Sequence, residues 1–166
     1  MAFTLHAAVT LVEPWARLYR DHGNVSAGVA FLHLGGLLAA GGFAIAADRG
    51  TLRAFGGDPS ARRSHVAELG AVHRPVLVGL TVVMMSGLLM LAADLETLLL
   101  SPVFWVKMAL VAALLANGLG LTRAGRRLEA DPESETGWMR LRRWSLSSLA
   151  LWFAVTLAAT LLTNAG

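Results

Sequence analysis

Four long apolar stretches, at residues 25–47, 71–93, 102–121 and 141–163, are separated by short polar connections. An α-helix rises 1.5 Å per residue and needs about 20 residues to cross a hydrocarbon core of about 30 Å. Each stretch meets that length. Transmembrane strands would be about ten residues long and alternate in polarity, which these stretches do not. The pattern predicts an all-α fold: an integral membrane four-helix bundle, a single domain over residues 1–166.

Residues 1–22 follow a different rhythm. His6, Thr10, Glu13, Arg17 and Arg20 recur at spacings of four and three on one helical face, and Leu5, Ala8, Val12, Trp15 and Tyr19 occupy the other. Such an amphipathic helix with aromatic anchors lies in the membrane interface and does not cross it. Pro14 leaves open a division into two shorter pieces. The sequence Asp21-His22-Gly23-Asn24 makes a turn into the first span. Clusters at residues 56–60 and 131–134 mark the two polar loops, and Ser101-Pro102 reads as an N-cap with proline at the first helical position.

Charge orients the bundle. The chain is 55% hydrophobic and only 15% charged. Thirteen of its fourteen basic residues are arginine, and Lys107 is the fourteenth. Arg49, Arg53, Arg62, Arg63 and Arg74 lie between the first two spans, and Arg123, Arg126, Arg127, Arg140, Arg142 and Arg143 between the last two. The middle connection carries only Asp94 and Glu96, and the tail from 163 to 166 carries no side-chain charge. Short arginine-rich loops stay cytoplasmic, so both termini are expected on the periplasmic side of a bacterial inner membrane. The arginines then serve topology, with no nucleic-acid partner. Absence of cysteine excludes disulfides, iron–sulfur clusters and thiol chemistry.

Ionisable residues within spans are expensive and are functional candidates by default. His33, His73 and Lys107 are the three here. From the outer end of each span, His33 lies about 12 Å deep, Lys107 about 8 Å, and Ser86 and Thr156 about 11 Å, so one level gathers polar groups from all four helices. His73 lies about 30 Å from that end, too far from His33 for the two to share one haem. A haem b on His33 would take His22, His6, Met90 or Met108 as its second ligand, and a copper ion would take His33 with Met90 or Met108. His33 shares a face with Ser26, Gly36, Ala40 and Ala44; those small residues suit either close helix packing or a flat macrocycle. The competing reading is a packed histidine bonded to a Ser or Thr. Lys107 either faces the bundle or snorkels outward. Asn117 is expected to hydrogen-bond across helices, to Ser147 or Ser148.

Phe31-Leu32-His33-Leu34-Gly35-Gly36 running on to Asp48-Arg49, and Phe104-Trp105-Val106-Lys107-Met108 followed by Ala116-Asn117, resemble uncharacterised bacterial four-span membrane families. Those families are distantly similar to the copper-resistance D membrane domain and to small b-type cytochromes. The resemblance implies a bundle with an in-membrane histidine and a lysine near the start of the third span. Three functional expectations follow. The first is a non-enzymatic accessory protein or subunit, in contact with lipid and with other membrane subunits or copies of itself. The others are a haem b electron carrier using His33 and a copper-handling protein. No nucleophile–base arrangement, phosphate loop or zinc signature is evident.

Overall fold

A computed structural model describes residues 2–164, with side-chain surroundings for residue 6 and residues 8–161. Six helices follow one another: α1 (Ala2–Asp21), α2 (Gly23–Phe55), α3 (Pro59–Ala93), α4 (Leu95–Leu100), α5 (Pro102–Ala130) and α6 (Glu135–Asn164). Four of them, α2, α3, α5 and α6, are long and apolar enough to cross a membrane. The chain is a multi-pass, all-α membrane protein. Leu5 and the uncharged tail from 163 to 166 lie outside the described side chains.

The helices overrun the apolar runs, always at the arginine-rich end. At 33 residues, α2 is about 50 Å long, well beyond a 30 Å hydrocarbon core. Hydropathy ends where polar side chains begin, but backbone hydrogen bonding continues until a cap or turn stops it. Asp58 supplies such a cap, accepting from the Ala61 N–H at 2.8 Å with Pro59 at the first position of α3. That bond holds the Asp58 carboxyl below its ordinary range. Ser101 caps α5 in the same way, as its sequence implies.

The long overhangs have their own core. Trp138, fully buried, packs with Ala54, Val66, Ala124, Leu128 and Leu141, and its indole N–H donates to the Pro132 carbonyl. Arg62 pairs with Glu135 and lies over the Phe55 and Trp138 rings, and Arg63 pairs with Glu133, so the two loops are tied together. A second core, Ala40, Leu114, Trp152 and Val155, sits nearer mid-helix.

The α1 helix is continuous through Pro14, so of the two forms open to it the undivided one is found. Proline removes one backbone bond, and tertiary anchoring makes good the loss. The Trp15 indole N–H donates to the Leu89 carbonyl in the last turns of α3, and Ala16 is buried. On the polar face Glu13 pairs with Arg17 at 2.8 Å and Arg20 at 3.3 Å. The Arg17 guanidinium holds the Glu13 carboxyl below its ordinary range.

The bundle is unequal around its circumference. The α2 helix packs along α3, α5 packs along α6, and α2 joins the two hairpins through α6. Between α3 and α5 contact is slight, and a lateral cleft opens there.

Candidate functional site

His33 is bonded to Ser86, Nδ1 to Oγ at 3.1 Å, across the α2/α3 seam. The Ser86 hydroxyl donates its one proton to the Val82 carbonyl at 2.6 Å. Its lone pair therefore accepts from the His33 Nδ1–H, the reverse of the polarity that activates a serine nucleophile. Thr156 does not take part, since its hydroxyl bonds the Trp152 carbonyl of its own helix.

The small-residue stripe next to His33 is closed. A Cβ added at Gly36 would lie 3.0 Å from both the Gly79 carbonyl and Val83, and one at Gly79 would lie 2.9 Å from Ala40. On the histidine's other side a Cβ at Gly87 would come within 3.3 Å of its ring. The glycines serve helix-to-helix contact, and α3 fills the room that a macrocycle would need. His22, the N-cap of α2, is eleven residues from His33 and about 16 Å away along the axis, so the two rings cannot grip one iron. His6 is exposed on α1, Met90 is half-buried on α3, and Met108 is exposed on α5. No group of three or more His, Cys, Asp or Glu converges among the described residues. The close packing of α3 against His33 does not fit a haem, and copper at His33 has no support among the described residues.

The other sequence candidates disperse. Lys107 is half-buried, close enough to His33 for an electrostatic interaction, and without a hydrogen bond or ion pair among the described residues. Asn117 donates to the Trp144 carbonyl at 3.1 Å, so its partner on α6 is backbone and not Ser147 or Ser148. His73 reaches across from α3 to the Thr122 hydroxyl of α5 at 2.9 Å. Thr122 spends its own proton on the Gly118 carbonyl, so His73 donates.

That last bond joins two residues lining the cleft between α3 and α5, which has a volume of about 500 Å³. Its walls are largely apolar, with Leu77 and Leu80 from α3 and Leu115 and Leu119 from α5, and carry polar groups at one end in His73, Thr122, Arg126 and Glu129. Its floor, from α2 and α6, is partly polar. Asp48, Thr51 and Ser148 line it, 3%, 1% and 2% exposed, between the two apolar cores. Ser148 hydrogen-bonds the Asp48 carboxyl, and Ser145 also approaches it. Yet Asp48 Oδ2 and the Ser145 hydroxyl are buried without a partner of good geometry. Thr51 is satisfied by His65 at 2.8 Å.

The hydropathy reading missed Asp48, Thr51 and Ser145, and it assigned Ser148 to Asn117 instead of Asp48. A signal existed: Gly36, Ala40, Ala44 and Asp48 continue one stripe at intervals of four, which turns Asp48 inward. A charged residue at the end of an apolar run instead reads as the start of a loop. The chain matches no protein-family model, no curated protein and no solved structure.

Proposed function

We propose that this chain is a non-enzymatic membrane protein that holds a lipid-soluble molecule in the cleft between α3 and α5, with the molecule's hydrogen-bonding head at Asp48. The carrying observation is the buried Asp48 Oδ2, without a hydrogen bond of good geometry although Ser145 lies near the carboxyl, at the floor of a largely apolar cleft. A buried polar atom without a partner costs about 1–3 kcal/mol, more for a charged one, so a donor brought by a ligand would be favoured there. The volume of about 500 Å³ lies within the range of small-molecule sites and is too small for a partner helix. The cleft opens sideways, the direction from which a lipid-soluble molecule arrives. In this reading the protein serves a larger membrane complex as an accessory subunit. It sits in the inner membrane with the arginine-rich end in the cytoplasm and both termini outside.

Site-specific photocrosslinking tests the cleft. A benzophenone side chain at Leu77 or Leu119 is expected to capture one small molecule that the exposed controls Phe31 and Phe153 do not, and Asp48→Leu is expected to abolish its capture. Capture of bulk phospholipid alone at all four positions sinks the reading. For orientation, a cysteine at Glu96 should react with an impermeant thiol reagent added outside, and one at Ser134 should not.

A further inference from the structure

On the opposite side of α5 from the cleft, a second groove of about 220 Å³ runs between α5 and α6. Its residues on α5 form one helical stripe, Ala116, Gly120, Arg123 and Arg127, at intervals of four, three and four. Facing them on α6 are Arg140 and, one turn on, Trp144. The groove is therefore graded along its axis. Arginines stand at its polar end, and small residues and an indole continue toward mid-helix. Gly120 is what permits the indole: an added Cβ would lie 2.7 Å from the Trp144 ring.

Some of the other arginines at this end are employed differently. Arg62 and Arg63 pair with glutamates, Arg142 lies over the Phe55 ring, and Arg126 lines the cleft. Arg123, Arg127 and Arg140 converge on one groove and have no ion pair or hydrogen bond among the described residues. Arg49, Arg53, Arg74 and Arg143 also lack an ion pair or hydrogen bond among the described residues but do not line the groove. Three guanidiniums repel one another unless an anion joins them, and their forked donors match phosphate oxygens.

We infer that the α5/α6 groove is a binding site for an anionic phospholipid, whose phosphate is held by Arg123, Arg127 and Arg140 and whose acyl chain runs over the Trp144 indole toward Ala116. A lipid has the groove's own polarity gradient. An indole at the head-group level is a common interfacial anchor, and basic pockets between helices are common sites for acidic head groups. This site is independent of the cleft and stands if no molecule binds at Asp48.

The experiment uses the purified full chain in uncharged detergent and titrates phosphatidylglycerol, phosphatidylcholine or inorganic phosphate, with native mass spectrometry as the readout. The wild type should bind phosphatidylglycerol at least about tenfold more tightly than phosphatidylcholine. Each groove arginine contributes about fivefold, so Arg123→Gln, Arg127→Gln and Arg140→Gln together should lose about a hundredfold. A control with Arg49→Gln, Arg53→Gln and Arg74→Gln removes the same charge from the same end of the bundle and should keep the preference. Should the groove triple variant not fold, single Arg127→Gln and Arg140→Gln variants give the same reading at about fivefold each. An equal loss in the control means diffuse charge attraction and overturns the site. Inorganic phosphate competing as well as the lipid means a bare anion site and overturns the lipid assignment.

Discussion

The α3 helix is packed on one side and open on the other. Toward α2 it presents Gly79, Val83 and Ser86, and the fit is so close that a single added Cβ meets the backbone opposite. Toward α5 it presents Leu77 and Leu80 across a cleft bridged by one His73–Thr122 hydrogen bond. Each side has an ionisable residue from α2. His33 in the seam has its Nδ1–H satisfied by Ser86, whereas Asp48 under the cleft keeps an oxygen without a partner. Cost alone does not make a membrane-embedded ionisable group functional. What distinguishes the two is whether packing has already met the group's hydrogen-bonding demand and whether a ligand could still reach it.

The largest test of this contrast substitutes glycine on each side. Gly79→Leu forces a side chain into Ala40 and should lower stability by about 3 kcal/mol or prevent folding, the upper end of overpacking costs. At Gly118, on the α5 side, an added Cβ meets nothing within 4 Å, and Gly118→Leu should change stability by less than about 0.5 kcal/mol. Thermal unfolding in detergent compares them, and equal losses would erase the distinction between seam and cleft.

Asp48→Leu comes next and has the opposite sign. Removing a buried carboxylate with an unmet oxygen should leave the bundle as stable or more stable by about 1–3 kcal/mol, while capture at the cleft disappears. A stability loss of that size would show that Asp48 is a structural group.

In the seam, Ser86→Ala and His33→Leu should each cost about 1 kcal/mol, and the double variant should cost less than their sum by about 0.6 kcal/mol, the typical coupling of such pairs in membranes. Strict additivity would mean that the bond contributes nothing. Thr122→Val removes the bridge between the two walls of the cleft and should cost about 0.6 kcal/mol or less. It should also speed exchange of any captured molecule, and an unchanged rate would show that the bridge does not gate the cleft.

The smallest effect lies outside the spans. The Glu13 carboxyl is held below its ordinary range by Arg17, so its contribution to α1 is complete at neutral pH and is lost as pH falls through the lowered value. Acidification below the ordinary carboxylate range should raise amide exchange in α1 before the spanning helices respond, and Glu13→Gln should remove that pH dependence. A response that survives the substitution would assign it to another group.

Much was legible in the sequence alone because its causes are local or periodic. Four spans follow from the length of apolar runs, the polar face of α1 from intervals of four and three, and the cap at Ser101 from chemistry within three residues. The inward face of His33 was legible from its small-residue neighbours, and Ser86 could be named as a partner from depth.

What that small-residue stripe is used for was decided only by tertiary structure. The same glycines suit a macrocycle or a helix, and only the position of α3 against Gly36 shows that a helix took the space. Depth put Thr156 level with His33, but depth carries no information on azimuth, and Thr156 turned to its own helix. Asp48 was hidden for a related reason. Burial of a charge at the end of a span depends on helices α3 and α6 continuing beyond the membrane, where Trp138 and its neighbours extend the core. Hydropathy records where apolar side chains stop, whereas a helix and its packing stop where hydrogen bonding and contacts do.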